Sequence, residues 1–358
     1  MWGYKMRGKF AAMAVVAVAV GCFAIGSASA IPSTTTTTAV SCTPNPVEAG
    51  TSTSCTATVT GQVSAPTGNV TFTASGGTGT YTPSSCALSP VDSLNSSCSV
   101  GYVANTAPKR GIRASYGGDS QHGKSTSLTY TLNVSRRIPV VTVDCTLTVI
   151  VPTQSTSCTA TVTDSDSGNQ SVPAGAVGWT NPTNNGRFSP QTCTLAPATS
   201  NSSSCSSTFQ SSNVPADRNT LTMTAHYQPT GAVYGAATGS ETVKETKRAT
   251  SNSISCTDST VVLDTATNCT VTVTDTSPMT PSAPQGTVDL TASGGGNTFT
   301  PSSPCTLSPT SSTTSQCSFQ FTPSGTGPHR TIRGYYGGDS IHLASSSNGF
   351  VITTQNPV

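Results

Sequence analysis

The sequence predicts an all-β chain of three two-sheet sandwiches, and three observations predict it. The nonapeptide STSCTATVT at residues 52–60 returns at residues 155–163, an offset of 103. Behind residue 30, twelve cysteines fall into three sets of four, with the first two of each set 13 apart and the last two 12 apart. Short stretches alternate apolar and polar side chains: Cys55, Ala57 and Val59 face one way and Thr56 and Thr58 the other, as Ile112, Ala114 and Tyr116 alternate with Arg113 and Ser115. That period of two belongs to strands with one buried face, and no long stretch carries apolar residues at helical spacing. With 8% charged residues, 32 glycines and 24 prolines, the composition suits strands joined by turns.

The chain opens on an address. Lys5, Arg7 and Lys9 precede an apolar run from Phe10 to about Ile25, then Gly-Ser-Ala-Ser-Ala and Ile31. A basic region, a hydrophobic region and a small-residue cleavage site in that order form a signal peptide, expected over 1–30. Two alternatives stand beside it: an uncleaved membrane anchor, and a lipoprotein signal in which Cys22 is lipidated, against which the apolar Phe23-Ala24-Ile25 speaks. Residues 31–38, rich in Ser and Thr, are expected to be a polar spacer. Removing the leader takes three of the 16 basic residues and leaves 13 against 14 acidic ones, a net charge of −1. With no basic stripe there is no electrostatic case for nucleic acid.

The nonapeptide belongs to a longer internal repeat. Pro66-x-Gly68-x-Val70-x-Phe72 matches Pro173-x-Gly175-x-Val177-x-Trp179 and Pro284-x-Gly286-x-Val288-x-Leu290. Each later cysteine pair opens on Cys-x-Leu-x-Pro, at Cys86, Cys193 and Cys305. Tyr116-Gly117-Gly118-Asp119-Ser120 near the end of the first unit returns as Tyr336-Gly337-Gly338-Asp339-Ser340 in the third, while the second has Tyr227-Gln228-Pro229-Thr230. Each unit has the length of one independent domain, and about seven short strands per unit describe a two-sheet sandwich. The expected domains are 39–136, 137–247 and 248–358.

An even set of cysteines behind a signal peptide indicates disulfides in an oxidising compartment. Zinc is the competing reading, but Cys-x12-Cys and Cys-x11-Cys lack the short knuckles of tetrahedral sites. Cys42 with Cys55, Cys145 with Cys158, and Cys256 with Cys269 flank a turn and are expected opposite one another across a hairpin. Cys86 with Cys98, Cys193 with Cys205, and Cys305 with Cys317 are expected to bracket a second hairpin. Facing residues of an antiparallel ladder lie within the reach of a disulfide, so local pairing is favoured.

The succession CTATVT, PTGNVTF and RASYGGDS resembles the bacterial immunoglobulin-like domain repeats of secreted and cell-surface proteins, over nearly all of residues 39–358 and in a cysteine-rich variant. The resemblance implies three tandem immunoglobulin-like β-sandwich domains and an extracellular modular role, with no catalytic residue. It implies core places for Val70, Phe72, Val177, Trp179 and the tyrosines Tyr116, Tyr227 and Tyr336. No cysteine lies near those tyrosines, so the antibody-type bridge between sheets is absent.

Candidate chemistry is sparse. Of His122, His226, His329 and His342, none sits in a nucleophile or metal motif. Asp119-x-x-His122 and Asp339-x-x-His342 recur, but two ligands are too few for a stable metal site, so a polar turn is expected. Trp179 aligns with Phe72 and Leu290 and is expected in the core rather than as a sugar platform. Arg136-Arg137 and Lys247-Arg248 lie at the junctions and are expected to be solvated linker, with protease nicking as the sharper alternative. Asn-x-Ser/Thr triplets at Asn69, Asn95, Asn133, Asn169, Asn201 and Asn268 are acceptors for glycan in a cell with that machinery. The expectation is a non-catalytic extracellular rod with a structural or adhesive role at the cell surface, no cofactor, no metal, and a surface protein or glycan as partner. Membrane contact is expected only if the leader stays uncleaved or Cys22 is lipidated. The alternative is a carbohydrate-binding or accessory component of an extracellular polysaccharide-degrading system.

Overall fold

A computed structural model describes residues 33–181, 185–212 and 220–357. The expected signal peptide, with Cys22, lies outside the described residues. Within them the chain is all strand and loop, arranged as six sheets in three face-to-face pairs.

In the first pair, one sheet has the order β1 (Thr37–Thr43), β3 (Ser52–Thr60), β8 (Asn95–Ala104) and β5 (Gly79–Thr82), with β7 (Ser89–Pro90) also on β8. The facing sheet has the order β2 (Val47–Glu48), β11 (Tyr130–Ser135), β9 (Lys109–Tyr116), β4 (Asn69–Ser75) and β6 (Ser85–Ala87), with β10 (Ser125–Thr126) on β9. Naming β1, β3, β4, β5, β8, β9 and β11 as strands A to G gives sheets ABED and GFC. That is the constant-type immunoglobulin arrangement. The first strand splits between the sheets, since β2 continues from β1 and pairs parallel to β11, with Val47 opposite Val134. The second and third sandwiches repeat both paths.

STSCTATVT forms a central strand because its alternation puts Thr53, Cys55, Ala57 and Val59 inward, all 1% exposed or less. The copy at Ser155–Thr163 buries the same positions. Three apolar cores result, with no residue in common. Val70, Phe72, Val177 and Trp179 are buried, as are Tyr116, Tyr227 and Tyr336. Burying each large side chain contributes about 1.5–3 kcal/mol.

Two expectations need correction. The Ser/Thr stretch over 31–38 is no spacer from Thr34 onward: Thr34 bridges His122, Thr36 Oγ1 donates to Gly123 O at 2.7 Å, and Thr37 and Thr38 open β1. Threonine's branched side chain suits a pleated edge strand, and the local composition hid that. The second cysteine pair of each sandwich does not face across a hairpin. Cys86 lies on β6 in the GFC sheet and Cys98 on β8 in the ABED sheet, so the bridge joins the two sheets with Cα atoms 5.8 Å apart. The chain changes sheets at buried Leu88, between the two cysteines, and only the turn after β7 makes a hairpin with β8. Cys193–Cys205 and Cys305–Cys317 repeat this arrangement. By contrast Cys42 and Cys55, Cys145 and Cys158, and Cys256 and Cys269 stand directly opposite in the ladder, with Cα atoms 4.0 Å apart in each bridge.

Candidate functional site

The groups with potential chemistry are held in structural hydrogen bonds. His122 is 2% exposed; its Nδ1 lies 2.9 Å from both carboxylate oxygens of Asp119 and its Nε2 lies 3.0 Å from Ser64 O. Asp119 also accepts the amides of Thr67, Gln121 and His122 at 2.8–2.9 Å. Burial opposes ionisation of Asp119, but these donors outweigh it and hold the carboxyl well below the usual carboxylate range. Asp339 repeats the pattern with the amides of Gln285, Ile341 and His342. Both loops are hydrogen-bonded turns, and among the described residues no three His, Cys, Asp or Glu converge as metal ligands. Trp179 is 1% exposed, stacks on Phe188 with centroids 5.1 Å apart, and donates Nε1–H to Cys193 Sγ. His226 and His329 each meet a single threonine hydroxyl, Thr180 and Thr353.

The distinctive groups lie at the two junctions, where the structure corrects the expectation of a solvated linker. Arg136 is exposed, but Arg137 is 1% exposed and Arg248 is fully buried. Arg137 donates Nε–H to Asp166 Oδ2 at 3.0 Å and Nη1–H to Asn169 O at 2.7 Å, and its Nη2 sits 3.1 Å from the buried Asp164 carboxylate. Arg248 donates Nε–H to Asp275 Oδ2 at 2.7 Å and Nη1–H to Pro152 O of the preceding sandwich at 2.9 Å. Lys247 Nζ donates to Asp339 O at 2.6 Å. Each arginine also bridges in parallel to the final loop of its own sandwich, Arg137 to Tyr234 and Arg248 to His342. At the first junction Tyr234 OH lies 2.7 Å from Asp164 Oδ2. Burial, and behind it the Asp164 charge, pushes that hydroxyl up to about 12, so it stays a neutral donor at physiological pH.

Around each pair the neighbours touch. At the first junction Ala107 N donates to Ala232 O at 2.9 Å and Asn169 N to Gly50 O at 3.4 Å. At the second, Thr153 Oγ1 donates to Thr280 O at 3.3 Å. A buried arginine is tolerable only with its donors filled and its charge balanced. Arg137 is balanced by two carboxylates, Asp164 and Asp166, and Arg248 by one, Asp275, with backbone carbonyls of Pro152, Ser277 and Pro278 taking its other donors.

The pair belongs to the two sandwiches that follow another. Arg137 and Arg248 each stand eight residues before the first cysteine of their unit; Thr34 holds that place in the first. Asp164 directly follows the strand Ser155–Thr163 and Asp275 ends the strand Thr267–Asp275, where the first sandwich has Gly61. A Cβ at Gly61 would come within 2.3 Å of Ser64 O and 3.0 Å of His122 Nε2, so no carboxylate fits. The loop that follows runs nine residues to the conserved-spacing proline in the second and third units, Asp164 to Val172 and Asp275 to Ala283, but five in the first, Gly61 to Ala65. Basic dipeptides at matched offsets and an acidic residue at matched positions were the signals available in the sequence. Taken separately, each looked like linker or loop.

No family model matches the chain, and no curated protein matches it. Among solved structures it is similar to invasin, a bacterial integrin-binding protein, at 12% identity and a TM-score of 0.36, covering 89% of this chain and 60% of that one. It is similar to a tetra-tandem repeat in the extending region of a large adhesion protein, at 14% identity and a TM-score of 0.36, covering 89% and 74%. It is also similar to FdeC, an Escherichia coli adhesin, at 12% identity and a TM-score of 0.27, covering 89% and 96%.

Proposed function

We propose that this chain is a non-catalytic extracellular rod, in which disulfide-bridged immunoglobulin-like sandwiches are held end to end and carry a structural or adhesive role at the cell surface. The observation that carries the reading is the set of hydrogen bonds across the junctions, Ala107 N to Ala232 O and Asn169 N to Gly50 O at the first and Arg248 Nη1 to Pro152 O at the second, each beside an arginine buried on a carboxylate of its own sandwich. A freely flexible linker would leave these groups to solvent. Pro139 stiffens the first linker further. On this reading residues 1–30 direct secretion, and six disulfides give endurance in an oxidising environment. The partner is a surface protein or glycan met by the sandwich faces and loops.

The carbohydrate-binding alternative needs exposed aromatic platforms. Among the described residues Tyr335, 50% exposed, is the one aromatic that stands out into solvent. The test is to screen the purified mature chain on a glycan array beside pull-down from cell surfaces. Capture of a surface protein with a blank array supports the adhesive role, whereas a single glycan class bound and lost on Tyr335→Ala favours the alternative.

A further inference from the structure

In the third sandwich the outer face of the GFC-type sheet differs from its two counterparts. Its central strand, His329–Tyr336, turns Arg333 and Tyr335 outward. Asp289 stands opposite Tyr335 on the strand Thr287–Ala292, and Val351 stands opposite Thr331 on the strand Phe350–Gln355. The places of Asp289, Tyr335 and Val351 are held by Thr71, Ser115 and Thr131 in the first sandwich, and by Gly178, His226 and Thr242 in the second. Tyr335 is 50% exposed and Val351 51% exposed. Tyrosine and arginine are among the side chains that most often carry the binding energy of a protein interface.

The two charges on this face are free and held apart. Among the described residues neither Asp289 nor Arg333 has a hydrogen bond or an ion pair, whereas Arg113, at the matched place in the first sandwich, donates Nε–H to Ser127 O. A Cβ on Gly349 would come within 3.5 Å of Arg333 Cζ, so the guanidinium lies over Gly349, on the flank away from Asp289. One flank of the face is therefore positive and the other negative, with Tyr335 on the strand between them. Such a face is complementary to itself. A two-fold axis lying between two copies and passing between the charges sets Arg333 of each opposite Asp289 of the other, the arrangement of an isologous contact. A neutral glycan offers neither charge, and an acidic polymer would meet Asp289 as a like charge.

We propose that this sheet face is a self-association surface, on which a second copy of this chain seats the same face. The inference names a partner for the adhesive role and rests on that reading for the display of many copies at one surface. Three strands of 6, 8 and 6 residues carry the face. At about 4.8 Å between strands and about 3.3 Å per residue they present roughly 400 Å². That is about half of the ~800 Å² per partner of a standard interface, so a pair in solution is weak and short-lived. Copies displayed side by side sum many such contacts.

The test is sedimentation velocity of residues 31–358 from about 10 μM to about 1 mM, the range an interface below standard size calls for. The sedimentation coefficient climbs with concentration toward that of a dimer. Arg333→Asp alone and Asp289→Arg alone each set like charges face to face and weaken association about tenfold or more. An equimolar mixture of the two variants restores it, since each swapped charge then meets its opposite on the other chain. Tyr335→Ala weakens it by about tenfold as well. Circular dichroism checks that each variant folds; should a swap fail to fold, Arg333→Glu and Asp289→Lys replace the pair. A chain that stays monomeric across the range overturns the proposal, as does loss in the single swaps without recovery in the mixture. Association untouched by the three substitutions lies on another surface and overturns it too. The adhesive reading fails separately, if a single glycan class is the ligand and is lost on Tyr335→Ala.

Discussion

Arg248 is buried on Asp275 of its own sandwich and reaches Pro152 O of the preceding one, the contact on which the proposed joint rests. Removing one partner of a buried pair leaves an uncompensated charge or unfilled acceptors, so Arg248→Gln and Asp275→Asn should each destabilise the chain by about 3–5 kcal/mol in urea unfolding. The double substitution should cost clearly less than the sum, because the two groups share one interaction. If Arg248→Gln changes stability by under about 0.5 kcal/mol, the guanidinium is not a joint element. Acid gives a second residue-level test. The folded-state carboxyl of Asp119 is depressed, so its contribution is present above the unfolded value of about 3.9 and is lost as pH falls toward the lower folded value. Asp119→Asn should cost about 1.5–3 kcal/mol at pH 7 and progressively less below pH 4. An equal cost at pH 7 and pH 2.5 would refute the carboxylate's part.

At the scale of strands, the two-sheet sandwich is legible in the sequence and the crossing between sheets is not. Period-two alternation in STSCTATVT gives strand, face and repeat, since a one-residue slip would turn Cys55, Ala57 and Val59 outward. The place of Cys86 was not legible, because its neighbours Ser85 and Ala87 carry no alternation and the switch of sheets depends on where Leu88 packs. The junction arginines failed for a related reason: burial of a charged residue is set by a carboxylate some 27 residues away, at Asp164 or Asp275, outside any local window. Closing loops of 12 or 13 residues should contribute about 3 kcal/mol per bridge. Cys86→Ser with Cys98→Ser should therefore lower stability by about that amount and loosen the sheets against each other, read as lost near-ultraviolet dichroism. Non-reducing peptide mapping should recover six links with separations of 12 or 13, and a dominant Cys55 to Cys86 link would contradict the pairing.

For the whole molecule, three cores without shared residues predict three cooperative units. Fragments 33–136, 137–247 and 248–358 should each unfold cooperatively when oxidised, and 39–136, which lacks Thr34 and Thr36, should melt several degrees below 33–136. Strands of eight to ten residues at about 3.3 Å each make a sandwich about 30 Å long, so three held end to end as proposed would span roughly 100 Å. The central claim is that the junction contacts hold separate sandwiches as one stiff body, Arg248 reaching back to Pro152 O at the second junction and Arg137 holding Asn169, whose amide donates to Gly50 O, at the first. Small-angle X-ray scattering of residues 31–358 beside the Arg137→Gln, Arg248→Gln double variant tests it most directly. The account predicts a rod-like profile with a sharp maximum dimension near 100 Å, replaced in the variant by the broad distribution of jointed units; the same broad distribution in both would contradict it.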